Sequence, residues 1–213
     1  MSGLLAQIVP MALAAAISPV LFLLQLTTLT GRRPIARGAA VTAGAAAVLI
    51  VVSTAGVSLG GSGFSDNDSL QAVVSILFGA LLIAVGLRAL VHPPTPKPHD
   101  PDAKPKGTWR SFVAGAGGMA SNLTTFALYV PALALIAASG LPLGQRGLAA
   151  LVILTVTLTV VWIPLVLAVA IPGGSSRVLR AVGDWMTANN RWIQVTLGFG
   201  FGIWLVAKGV EAT

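Results

Sequence analysis

The chain has 213 residues, of which 55% are hydrophobic and only 9% charged, a balance that excludes a soluble globular domain and indicates an integral membrane protein. It contains no cysteine, which excludes a disulfide framework and a thiolate metal site. The formal charge of +7 comes from 13 Lys and Arg scattered between apolar segments, so it fits orientation in a membrane and not a nucleic-acid partner.

Crossing about 30 Å of hydrocarbon takes roughly 20 helical residues, and six segments in the chain reach or approach that length. The first, Leu4 to Leu29, is longer than a signal-peptide core and no Lys or Arg precedes it, so it is read as a retained span. Ser18 and Pro19 interrupt it in "AAISPVLFLL". A proline there has no amide hydrogen and would cost about 3 kcal/mol in an ordinary helix. The second span runs from Gly38 to Leu59 and is followed by "GGSGFSD", Gly60 to Asp66, a polar turn without a nucleophile or phosphate motif. The third, Leu70 to Val91, ends near Arg88.

Next comes "HPPTPKPHDPDAKPKGTW", His92 to Trp109, too rich in Pro and charge to pack. It divides the chain into a first three-helix repeat at 1–91, a cytoplasmic linker at 92–110 and a second repeat at 111–213, with His92 and His99 solvated in the linker. The fourth span, Phe112 to Ala138, carries Ser121, Asn122, Thr124 and Thr125 in "MASNLTTFALYVP". Its "NLT" has the form of a glycosylation sequon, but a bilayer segment is not a surface loop. In the fifth, Leu148 to Ile171, we read Thr155, Thr157, Thr159, Trp162 and Pro164 as interhelical contacts, a place in the substrate site being the alternative. "SSRVLRAVGDWMTANN" then places Val178, Leu179, Val182, Trp185 and Met186 at helical spacing, a short amphipathic helix at the interface before the sixth span, Trp192 to Ala207.

Positive charge sorts by loop. Arg32, Arg33 and Arg37, then Arg88, Lys97, Lys104, Lys106 and Arg110, then Arg177, Arg180 and Arg191 fall on one side, and Arg146 and Lys208 on the other. Cytoplasmic loops collect Lys and Arg, so both termini are expected outside and the linker inside a plasma membrane. "FGALLIAVG" (Phe78 to Gly86) and "FGIWLVAKG" (Phe201 to Gly209) match at Phe, Gly, Leu, Ala and Gly, and Ser121 and Asn122 align with Ser18 and Pro19. Three spans per half make the second half cross in the opposite sense. This predicts an all-α fold of two inverted three-helix repeats, a frequent transporter architecture. The small residues also serve helix packing, and Gly198, Gly200 and Gly202 permit it either within the chain or in a homodimer.

In such folds the first helix of each half is often interrupted where the substrate binds. Ser18, Pro19 and Asn122, with Gln25, Ser121 and Thr125, are therefore the candidate substrate site, interhelical hydrogen bonding being the alternative role. Arg88 and Arg33 are candidates for attracting an anionic head group, orientation being their simpler use. No Asp, Glu, Lys, Arg or His lies near the centre of a span, so there is no proton relay, metal cluster or catalytic constellation to propose. Neither an enzyme nor a cofactor is expected.

The stretches "AAISPVLFLLQLTTLTGRRP", "FVAGAGGMASNLTTFALYVPAL" and "WMTANNRWIQVTLGFGFGIWLVAKGV" resemble the GAP (Sap) family, the glycopeptidolipid- and sulfolipid-addressing proteins, within the LysE transporter superfamily. Amino-acid exporters of that superfamily typically carry Pro-Gly-Pro in the first helix and Asn-Pro-Lys in the fourth. Here those positions read Ser18-Pro19-Val20 and Asn122-Leu123-Thr124, which turns the resemblance toward the lipid-addressing side. It implies export or flipping of a cell-envelope lipid or glycolipid across an actinobacterial plasma membrane. Export of an amino acid or cation is one alternative. The other is a non-transporting subunit of lipid export or synthesis machinery, which the Pro-rich linker could dock.

Overall fold

The computed structural model describes residues 2–30, 33–59, 68–92, 107–171 and 175–211. The polar turn expected at 60–66 and residues 93–106 of the linker, with Lys97, His99, Lys104 and Lys106, lie outside these residues, as does Arg32. Among the described residues the chain is helical and has no strand. In order the helices are α1 (Ser2–Ala16), α2 (Pro19–Leu29), α3 (Pro34–Leu59), α4 (Asp68–Val91), α5 (Thr108–Ala120), α6 (Leu123–Ala137), α7 (Leu143–Thr157), α8 (Thr159–Ala170), α9 (Ser175–Ala188) and α10 (Asn190–Glu211).

Three of them, α3, α4 and α10, are long and apolar enough to cross a bilayer singly. The others pair across short breaks: α1 and α2 bend by 56°, α5 and α6 by 69°, and α7 and α8 by 63°, so counting each pair as one span brings the number to six. The first two bends fall at the interruptions expected from Ser18–Pro19 and Ser121–Asn122. The third departs from expectation, because Leu148 to Ile171 reads as one uninterrupted apolar run. The amphipathic helix ahead of the last span is present as α9, with Leu179 and Met186 buried against the body and Val178, Val182 and Trp185 exposed.

Cross-contacts give each helix its direction. Along α3, Arg37 hydrogen-bonds Ser111, Ser53 hydrogen-bonds Tyr129, and Gly56 lies on Leu133, so α3 runs parallel to α5 and then α6. In the same way α7 packs on α1 and α8 on α2. Helices α4 and α10 run antiparallel, with Gly209 against Ala72, Gly202 against Gly79 and Gly198 against Gly86. One end of the bundle thus gathers Gln7, which Lys208 bonds at 3.3 Å, and the other gathers Leu90, whose carbonyl accepts from Arg191 at 3.0 Å.

Two crossings are backbone against backbone. A methyl on Gly115 would run into the Val41 carbonyl, and one on Gly44 into the Phe112 carbonyl. At the other crossing a methyl on Gly79 would sit 2.8 Å from the Gly202 carbonyl oxygen, and one on Gly198 would sit 2.7 Å from that of Leu82. Close approach through glycine is how helices associate where lipid tails compete equally with apolar side chains. Gly198 and Gly202 therefore pack within the chain, while Gly200 between them meets nothing.

The core gathers around α1 and α6, where Ile8, Met11, Leu128, Tyr129 and Ile136 are fully enclosed. Outward, Val20, Val51, Leu77 and Ile203 stand more than half exposed on helices that carry no charge at those levels. In water such a surface would drive association; in hydrocarbon it is the side that faces solvent.

Replacing Gly115 by alanine should lower stability by about 1–3 kcal/mol, the usual cost of overpacking. Replacing Gly117, which has nothing within 4 Å, should change it by less than about 0.5 kcal/mol. Reversible unfolding of the two variants in mixed micelles measures the difference.

Candidate functional site

The first break follows from Pro19. In a continuous helix the Ala15 carbonyl would accept from the amide of residue 19, but proline has no such hydrogen. The backbone leaves the helix instead, with Ile17 donating to the Ala14 carbonyl at 3.1 Å and Ser18 to that of Ala16 at 2.9 Å. Ser18 takes an extended conformation and caps α2, its hydroxyl accepting from the Leu21 amide at 3.4 Å, with Pro19 in the first helical position where its missing donor costs nothing.

The second break is built the same way without a proline. Asn122 caps α6, its Oδ1 accepting from the Thr125 amide at 3.3 Å, and the Phe126 amide begins the new helix by donating to the Asn122 carbonyl at 3.1 Å.

The two breaks meet. Asn122 donates through Nδ2 to the Ser18 hydroxyl oxygen at 2.8 Å, so the caps of α2 and α6 are bonded to each other across 104 residues of chain. Thr125 donates its hydroxyl at 2.9 Å to the Ala15 carbonyl, the group Pro19 leaves without a partner. Ser18 and Thr125 are buried, Asn122 is half-buried, and the junction contains hydroxyls, an amide and two helix N-termini but no titratable side chain. It can offer hydrogen bonds and the partial positive ends of two helices.

The third bend lies beside them. Thr157 reaches the Ala12 carbonyl at 3.5 Å, Thr159 donates to the Val156 carbonyl at 2.7 Å, and the Trp162 indole N–H donates to the Thr155 carbonyl at 3.1 Å. Thr159 and Trp162 thereby serve carbonyls on the α7 side of the bend, as buried backbone in a bilayer requires, and Thr157 ties the bend to α1. Pro164, inside α8, is buried beyond this bend.

The remaining candidates are dispersed. Gln25 is fully buried on α2, nearly two turns from Ser18; its Nε2 donates to the Gly38 carbonyl at 3.3 Å, and its Oε1 has no partner among the described residues. Ser121 faces outward and donates to the Gly118 carbonyl at 3.3 Å. Arg33, with φ 53, sits exposed in the turn before α3, and Arg88 is exposed in the last turn of α4; neither approaches the junction. Reading the sequence did not single out the Ser53 and Tyr129 hydroxyls, buried and 2.6 Å apart between α3 and α6. The available signal was the chain's one tyrosine, in the apolar run "FALYVPAL", whose hydroxyl must find a partner once buried. Among the described residues no three His, Asp or Glu gather to hold a metal ion.

Apolar helices bent at polar, uncharged breaks and stitched to one another define a multi-pass membrane protein. Residues 8–211 match the model of the family described as Sap, sulfolipid-1-addressing protein. The chain belongs to that family, as the three motif stretches imply. Comparison with curated proteins and with solved structures gives no match.

Ser18→Ala and Asn122→Ala should each cost about 1–3 kcal/mol through the lost cap and the lost interhelical bond. The double variant should cost less than the sum by about 0.5–3 kcal/mol, because the two side chains share one bond. A double-mutant cycle in mixed micelles checks this, and strict additivity would show the 2.8 Å contact to be energetically idle.

Proposed function

We propose that the protein moves a cell-envelope lipid or lipid-linked glycan across the plasma membrane by alternating access between two inverted three-helix repeats. The observation that carries this is the bonded pair of broken helices, Ser18 with Asn122. Two interruptions at repeat-equivalent places, joined to each other and ringed by apolar helices, are the arrangement in which secondary transporters build a substrate site.

Three further observations support it. Gly79 and Gly202, equivalent in the repeat "FGALLIAVG" and "FGIWLVAKG", lie against each other in an antiparallel crossing, as residues next to a two-fold axis in the membrane plane would. The packing is reciprocal: α3 of the first half lies along the broken helix of the second, and α7 with α8 along that of the first. The bundle end that holds Arg37, Arg110 and Arg191 is the arginine-rich one, which by the positive-inside tendency would be cytoplasmic, with both termini outside.

The uncharged junction bears on the substrate class. A solute with a full charge would enter hydrocarbon there without a counter-ion, whereas an amphipathic molecule leaves its tails in the bilayer and needs a hydrogen-bonding path for its head group only. Membership of a family described by sulfolipid addressing points the same way. In this reading nothing is chemically transformed, and the protein is a carrier without a cofactor.

Reconstituted into liposomes, the protein should move a fluorescent lipid or envelope glycolipid between leaflets. A Pro19→Ala/Asn122→Ala variant that still folds should do so at least about tenfold more slowly, the effect of about 1.4 kcal/mol on the rate-limiting step. A lipid that stays on its original leaflet, or a variant as fast as the parent, overturns the proposal. With a stoichiometric copurifying partner that negative result assigns the accessory role, and with efflux of a radiolabelled amino acid it assigns small-solute export.

A further inference from the structure

A cavity of about 230 Å³ opens at the bundle end that holds both the start of α1 and the end of α10, between α4, α6 and α10. At roughly 30 Å³ per water-sized unit it holds about seven or eight such units. Leu135 and Leu205 form part of its apolar wall, while Ser75, Trp204, Lys208 and Glu211 bring a hydroxyl, an indole and two opposite charges. It is separate from the Ser18–Asn122 junction and contains none of that junction's residues.

The two charges do not neutralise each other. Lys208 and Glu211 stand one turn apart on α10, a spacing of about 5–6 Å between Cβ atoms at which Lys and Glu commonly pair. Here the ammonium turns the other way, 5.8 Å from the centre of the Trp204 ring and donating to Gln7 at 3.3 Å. Among the described residues Glu211 makes no ion pair. An ammonium group has three donors, so after the bond to Gln7 Lys208 retains donors for an anion. The cavity thus presents a cation and an anion side by side at the end of a largely apolar slot.

We propose that this cavity is a binding site for a zwitterionic lipid head group in which a phosphate and a primary ammonium are joined by a short linker, as in an ethanolamine phosphate. The phosphate takes Lys208 and the Ser75 hydroxyl, the ammonium takes Glu211, and the first carbons of the acyl chains lie against Leu135 and Leu205. A simple anion would satisfy Lys208 and meet Glu211 unfavourably, and a simple cation the reverse. Only a ligand carrying both signs at about one helical turn's separation uses both.

The test is a binding titration of the purified full chain in detergent, which needs no transport and so fails or succeeds apart from the carrier proposal. The probes are dihexanoyl phosphatidylethanolamine, dihexanoyl phosphatidylglycerol and free O-phosphoethanolamine. The ethanolamine lipid should bind about fivefold more tightly than the glycerol lipid, the contribution of one partly exposed ion pair, and more tightly than the free head group. Glu211→Gln should reduce the preference between the two lipids to about one while leaving the glycerol lipid bound. Lys208→Gln should weaken both, and Leu135→Trp, which fills the apolar end, should weaken both lipids together. Equal binding of the two lipids by the parent, or a preference that survives Glu211→Gln, overturns the head-group assignment. Equal binding of the free head group overturns the lipid assignment. Glu211 is exposed on the last turn of α10, so its variant has no core to disrupt and keeps the test decisive if Leu135→Trp does not fold.

Discussion

The hydrogen bond from Asn122 to Ser18 holds together two places where the chain cannot be a helix. In a bilayer every backbone group must be satisfied from within the protein, at a cost of several kcal/mol for each one left over. The first break creates such a group, the Ala15 carbonyl, and Thr125 of the other half serves it, while Asn122 donates to the Ser18 hydroxyl beside it. The halves are therefore interdependent at their weakest points. The first bent pair has no donor of its own for the Ala15 carbonyl, which gives it a physical reason to fold against the second.

Around that polar junction the packing relies on very small residues. The crossing of α3 with α5 is set by Gly44 and Gly115, and that of α4 with α10 by Gly79, Gly86, Gly198 and Gly202. Long apolar side chains are sent outward to lipid or gathered about α1 and α6. Polarity inside the bundle is rationed to single hydroxyls and amides, each beside a carbonyl or another hydroxyl. Gln25 departs from that pattern with a buried carbonyl oxygen that no described group serves.

The all-helical class and the positions of the apolar segments were legible because length and hydropathy are linear properties of a sequence. The first two breaks were legible too: Pro19 removes a donor, and Asn122 is a cap residue stranded in an apolar run. The third was not, because the bend at Leu158 has neither proline nor glycine at its apex; Thr159 and Trp162 bond carbonyls of the preceding turn there, and Thr157 reaches across to α1. Ser18, Asn122 and Thr125 were picked out individually, but nothing in their spacing says that a bond spans 104 residues between them. Gln25, Ser121, Arg33 and Arg88 are polar or charged like the other candidates yet do not join the junction, since composition does not encode which side of a helix faces which neighbour.

The meeting of Gly79 and Gly202 has a mechanical corollary. Interlocked side chains act like gear teeth, and one helix can turn on another only by withdrawing them from their slots. Where two backbones touch through glycine, as here, the teeth are few, Val206 and Leu205 beside Gly79 and Ile83 beside Gly202, and the contact comes nearer to a plain bearing. Any rocking of one half against the other would find its least resistance at that point, with the polar junction, rather than the α4–α10 seam, setting how far it can go.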